Sequence, residues 1–117
     1  EILGGRATAL LIVATTKFRD ANPKAYSAFF AALKEAIDSI NRDKKAAAQR
    51  YLEWANDRKS TLEEVYAAIS NPDYAFTLTP EKVFKTAEFM AKIGSIKDKP
   101  ASWKDMFFAE IHNLPGN

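Results

Sequence analysis

The sequence predicts a mainly helical fold: four main helices, one buried strand and a short edge strand. Three observations carry that expectation. Apolar residues recur at steps of three and four over most of residues 23–94. Asn-Pro, Ser-Thr and Thr-Pro pairs stand where those helices should begin. The stretch Ala7–Ala14 is instead nearly continuous apolar sequence, preceded by Gly4-Gly5 and closed by Thr15-Thr16. A run of that length, rich in branched residues, reads as a strand covered on both faces.

After the strand, Lys17–Ala21 is short and polar, with Phe18 able to fold back onto the core. Asn22-Pro23 opens the first helix, expected over Pro23–Asn41. Asparagine caps free N–H groups, and proline at the first helical position has its φ already set. Tyr26, Phe29, Phe30, Leu33, Ile37 and Ile40 make one apolar stripe. Lys24, Lys34, Glu35 and Asp38 fall on the other face.

Asp43 is placed to cap a second helix, Lys44 to about Ala55, with Ala47, Tyr51, Trp54 and Ala55 inward. The alanines 46–48 permit close helix approach. Ser60-Thr61-Leu62-Glu63 matches a capping box, serine first and glutamate three residues on. It predicts a third helix carrying Leu62, Val65, Tyr66 and Ile69. Asn71-Pro72-Asp73 ends that helix, and Tyr74–Leu78 alternates as a short edge strand. Thr79-Pro80 opens the fourth helix, with Val83, Phe84, Ala87, Met90 and Ala91 inward and Gly94 as its terminating residue. Beyond Ser95 the pattern weakens. Ser102–Phe108 is long enough for one or two helical turns, and Trp103, Phe107 and Phe108 must either dock on the body or cover a partner.

Composition narrows the function classes. Of 117 residues, 47% are apolar and 12% aromatic, enough for a core. Seventeen basic residues stand against 15 acidic ones, interspersed, for a net charge of +2. A nucleic-acid partner is not expected, because such proteins concentrate basic charge on one face. There is no cysteine, hence no disulfide, thiolate metal site or cysteine nucleophile. No apolar run is long enough to span a membrane. The chain opens at Glu1 directly before an apolar run, which suggests a piece of a longer protein.

No catalytic set emerges. His112 is the single histidine and cannot build a zinc site alone. Neighbouring carboxylates such as Glu63 and Glu64 point to different sides of a helix, so no acid–base pair is expected. Gly4-Gly5 lacks the ending of a phosphate loop. It is either a turn before a strand or a place where backbone N–H groups meet a small polar ligand, with the Thr8 hydroxyl beside them. Most of Phe29, Phe30, Tyr51, Trp54, Tyr66, Phe84 and Phe89 fall on inward stripes and are expected in the core.

Several motifs carry a family resemblance. Leu3-Gly4-Gly5-Arg6-Ala7-Thr8 and Ala14–Pro23 resemble the carboxy-terminal portion of periplasmic substrate-binding proteins of ABC transporters, of the nitrate, sulfonate and taurine type related to thiamine-precursor-binding proteins. Phe76-Thr77-Leu78-Thr79-Pro80 fits as well. The longest matches are Phe89-Met90, Ile93–Asp105 and Ile111–Gly116. The resemblance spans essentially residues 1–117, as one carboxy-terminal fragment.

The resemblance implies a parent α/β fold of two lobes that close over a ligand. It implies the solute-binding component of an importer for a small oxyanion or sulfonate-like organic acid, outside the cytoplasm, handing its ligand to an ABC permease. It implies no catalysis and no cofactor, and no metal site is expected from the residues. Gly4, Gly5 and Thr8 lie where the family's lobes cross, beside the cleft, and are the ligand-binding candidates. Arg6 stands where family members often carry proline or histidine, and is either neutral variation or an added anion contact.

Two rivals remain. One is a self-standing helical protein-interaction module. The other is an enzyme resembling pyrimidine-precursor synthases that share the binding-protein fold, although one histidine is little for that chemistry. If no helix covers the strand, a second copy of the chain would supply its neighbour, and self-association is then expected.

Overall fold

The computed structural model describes residues 5–117. Five α-helices follow one another: α1 (Thr16–Ala21), α2 (Pro23–Arg42), α3 (Lys44–Ala55), α4 (Leu62–Ser70) and α5 (Val83–Lys92). Two 3-10 turns, Trp103–Met106 and Ala109–Ile111, complete the chain. The mainly helical expectation holds. The chain divides into two compact units, one spanning Ala14–Phe76 and the other joining the residues up to Val13 with Thr77–Asn117.

The helical unit contains α1 to α4. Thr15 begins it, its hydroxyl accepting from the Phe18 N–H at 3.1 Å. The polar stretch after the threonines is therefore a helix, and Phe18 is exposed rather than folded inward. Asn22 does not cap α2 with its side chain. Its Nδ2 instead donates to the Phe18 carbonyl at 3.0 Å, closing the end of α1. Pro23 still starts α2, and Tyr26, Phe30, Leu33, Ile37 and Ile40 are half-buried along one stripe. Phe29 falls off that stripe and is exposed.

The α2–α3 corner is one residue. Asp43 ends α2, and its carboxylate accepts from the Ala46 N–H at 2.9 Å to start α3. Ala48 is completely buried on α3, the helix that contacts both α2 and α4. A methyl side chain there lets the helix axes approach closely. Arg50 donates to the Ser39 hydroxyl at 3.3 Å across the corner. Helix α3 ends at Asn56, in the left-handed region at φ 48°, with the Asp57 N–H returning to the Leu52 carbonyl at 3.1 Å.

The capping box of α4 sits one residue later than the sequence suggests. Thr61 accepts from the Glu64 N–H at 3.2 Å, and Glu64 accepts from the Thr61 N–H at 2.7 Å. Two serine/threonine–glutamate frames overlap here, and Asp57 selects between them. Its carboxylate accepts from the N–H groups of Lys59 at 2.8 Å and Ser60 at 3.1 Å, which holds Ser60 in the preceding turn. After α4, Tyr74–Leu78 forms no strand; the Phe76 carbonyl is taken by the Asn41 side chain at 2.9 Å.

In the second unit the fourth expected helix begins at Val83, three residues after Pro80. Lys82 precedes it in the left-handed region at φ 56°. Pro80 is buried, and its carbonyl accepts from the Asn117 N–H at 3.1 Å. Helix α5 ends as expected at Gly94, φ 76°. The Ser95 N–H donates to the Met90 carbonyl at 2.8 Å and the Gly94 N–H to Ala91 at 3.1 Å, a complete Schellman motif.

The Ala7–Ala14 strand is not formed, and among the described residues there is no strand. Leu10 is 91% exposed and Val13 84%. A strand needs a neighbour with backbone groups to share, whereas the helices satisfy theirs internally. Among the described residues, only Thr8 of this segment finds a backbone partner, in the turn at Glu81. Burial on both faces is thereby overturned for this chain.

The aromatic core is likewise thinner than the periodicity suggests. Phe29, Tyr51, Tyr66 and Phe89 are exposed, and Trp54 is 86% exposed. Among the described residues the buried positions are Ala48, Pro80 and Ala87, all small or compact.

Candidate functional site

The sequence-derived site falls in the second unit. Gly4 lies outside the described residues. Gly5 takes φ 126°, which L side chains rarely adopt, so the glycine is required by its backbone. A Cβ there would stand 3.3 Å from the Lys82 Nζ, so this backbone runs directly against an ammonium group.

Thr8 is held by a reciprocal pair of bonds. Its N–H donates to the Glu81 carbonyl at 2.9 Å, and its hydroxyl oxygen accepts from the Glu81 N–H at 2.8 Å. The hydroxyl keeps its own hydrogen for donation. Arg6 pairs with the Glu81 carboxylate at 3.2 Å, both side chains partly exposed. Arg6 therefore has a charged partner within the chain. The structure thus brings Thr8 and Arg6 to one turn through Glu81, and Gly5 to the next residue, Lys82.

The same turn is fixed from the other end of the chain. The Asn117 side-chain oxygen accepts from the Lys82 N–H, and its carbonyl accepts from the Val83 N–H at 2.9 Å. Asn117 supplies the acceptors that a side-chain cap of α5 would otherwise provide. Beside this contact opens a groove of about 450 Å³. Phe84 and Trp103 line it with apolar surface, Lys82 and Lys85 with positive charge, and Ser102 and Asn117 with polar groups.

The tail aromatics dock rather than project. Trp103 meets Phe107 and His112 edge-on, each with ring centroids 5.9 Å apart. Gly116 closes over the indole so tightly that a Cβ would lie 2.9 Å from two Trp103 ring atoms and 2.8 Å from Pro80 Cγ. The His112 Nε2 lies 3.0 Å from the Lys104 carbonyl and 2.9 Å from that of Phe107. Both are acceptors, so Nε2 carries the proton and donates. His112 fastens the tail. Lys99 ties the loop after α5 back to the helix, pairing with Glu88 at 2.7 Å with its ammonium 5.4 Å from the Phe84 ring centre.

Among the described residues no group of histidine and carboxylate side chains is arranged to hold a metal. Two carboxylates sit below their ordinary range, Asp57 and Glu64, both in the helical unit. Asp57 is lowered by the Lys59 N–H and then by Ser60, Glu64 by the N–H and then the hydroxyl of Thr61. Each belongs to a turn or helix cap, so these shifts report local folding and not a reactive centre. The sequence pointed to Gly5 and Thr8 but not to Glu81, Lys82 or Asn117, which hold the same turn. Their only local signal was the Thr79-Pro80 pair, which reads as a helix start.

No family model, curated protein or solved structure matches the chain.

Proposed function

We propose that the chain is the carboxy-terminal portion of the solute-binding component of an ABC importer for a small oxyanion or sulfonate-like organic acid. The resemblance in Leu3–Thr8, Ile93–Asp105 and Ile111–Gly116 motivates the reading. The observation that carries it is Leu10–Val13, whose composition is that of a sheet interior while its side chains lie on the surface. Such a segment belongs to a sheet whose other strands come from elsewhere. In this reading the parent protein has two lobes, acts outside the cytoplasm, passes its solute to a membrane permease and needs no cofactor. Gly4, Gly5 and Thr8 border the cleft, with the free Thr8 hydroxyl hydrogen directed to an oxyanion.

The residues that mainly grip the solute lie outside this chain, so the 117-residue chain by itself binds no solute with micromolar affinity. Calorimetry with taurine, alkylsulfonates and nitrate tests this in two arms. The first uses this chain, the second the same chain extended by the sequence that precedes it in its reading frame. Heat of binding in the extended protein alone is the expected result. Micromolar binding by the short chain, or none by the extended one, overturns the proposal.

The exposed aromatics Phe29, Tyr51 and Trp54 of the helical unit favour a second reading, a self-standing helical interaction module. It predicts that extension adds no ligand binding and that Trp54→Ala abolishes capture of a protein partner.

A further inference from the structure

We propose that this chain pairs with a second copy of itself through Leu10–Val13, antiparallel, with Leu11 facing Leu11 of the copy across a two-fold axis. The inference rests on the exposed segment and not on the importer reading.

Leu10, Leu11, Ile12 and Val13 are all more than half exposed, on both alternating faces. Ala7–Thr16 contains no charge, so nothing along it repels an identical strand. The backbone has one edge already engaged. The Thr8 N–H and hydroxyl are turned to Glu81. In a strand, alternate residues direct their backbone groups to opposite edges, so Leu10 and Ile12 share the Glu81 side. Ala9, Leu11 and Val13 then direct theirs to the open edge.

Symmetry restricts the register further. A two-fold axis between antiparallel strands stands perpendicular to the sheet, so facing residues must lie on the same face. Their numbers therefore differ by an even count, and the axis passes midway between one residue and its own copy. Centring it on Leu11 places Leu10 opposite Ile12 and Ala9 opposite Val13, aliphatic against aliphatic. The bonded positions become Ala9, Leu11 and Val13, all on the open edge. Thr16 and Lys17 already belong to α1, so the paired stretch ends with Ala7 opposite Thr15 and contains no charged residue. Centring on Ile12 instead sets Leu10 against Ala14 and Ala9 against Thr15, losing aliphatic contact.

Four aliphatic side chains per copy make a small interface, below the size of a stable obligate dimer. The expected midpoint therefore lies between about 1 µM and 1 mM. Sedimentation equilibrium over that range tests the proposal, with far-UV circular dichroism reporting that each variant keeps its helices.

Wild-type mass should double with concentration. Leu11→Lys and Leu11→Glu should each remain monomeric, because position 11 meets itself. An equimolar mixture of the two should recover the doubled mass. The absence of native cysteine makes a second measurement unambiguous: Leu11→Cys should oxidise to a crosslinked dimer at least tenfold faster than Val13→Cys, whose equivalents are displaced along the strand. A wild-type monomer at 1 mM, a dimer indifferent to Leu11→Lys, a mixture that stays monomeric, or equal crosslinking at 11 and 13 each overturns it.

Discussion

Gly116→Ala is a one-methyl change with a calculable consequence. The added Cβ would meet Pro80 Cγ at 2.8 Å and two indole carbons of Trp103 at 2.9 Å. Neither neighbour can retreat freely: Pro80 is buried, and Trp103 is braced by Phe107 and His112. Overpacking of this kind costs about 1–3 kcal/mol. If the tail lifts instead, Asn117 loses its bonds to Lys82, Val83 and the Pro80 carbonyl, each worth about 0.5–1.5 kcal/mol net. Either route destabilises the second unit, and the protein takes the cheaper one, so the expected loss is about 2 kcal/mol. Trp103 fluorescence during urea unfolding reads that unit alone in a Trp54→Phe background, because Trp54 is 86% exposed and its removal disturbs little. Asn117→Ala separates the two routes. If the tail has lifted, adding it to Gly116→Ala costs nothing more. A Gly116→Ala midpoint indistinguishable from the parent refutes the close packing of this tail on Pro80 and Trp103.

Two further outcomes test the helix ends. Thr61→Ala removes the hydroxyl that accepts from Glu64 and should cost about 1 kcal/mol in the helical unit, read by urea denaturation. The same cap gives a pH dependence. Glu64 is lowered from 4.5 in the folded state by the Thr61 N–H, so its contribution is fully present above that value. It is lost as pH falls through the lower folded value, and Glu64→Gln should flatten the stability profile below pH 4.5. Gly94→Ala places a side chain at φ 76° in otherwise open space. The cost is therefore conformational alone, about 1 kcal/mol, and a smaller effect than Gly116→Ala is expected in parallel melts.

Local signals located the helices whose ends are made locally. Asp43 and Gly94 cap with neighbours a few residues away, and the limits of α2, α3 and α5 near them agree with the sequence. The start of α5 depends on Asn117 and, through Glu81, on Thr8, contacts spanning 35 and 73 residues. No periodicity carries such information, so Thr79-Pro80 read as a cap. The α4 frame turned on Asp57, whose carboxylate decides which of two equivalent motifs forms. At the candidate site the glycine requirement at Gly5 was legible, because a glycine pair before an apolar run marks unusual backbone. That Thr8 would meet Glu81 was not.

The strand was misread for a different reason, and it bears on function. Apolar runs signal what a segment prefers to be next to, and pairing requires that a neighbour exist. Helices α1 to α5 pair their backbone groups internally, and the non-helical stretch 71–82 forms no strand that could take up Leu10–Val13. The run is thus apolar without being buried, and its composition argues for a neighbour of like kind. In the importer reading that neighbour is a strand of the parent sheet; in the isolated chain it is a second copy. The two occupants compete for one edge. A longer chain that binds solute should therefore lose the Leu11-centred dimer, because ligand binding requires the completed sheet that removes the open edge.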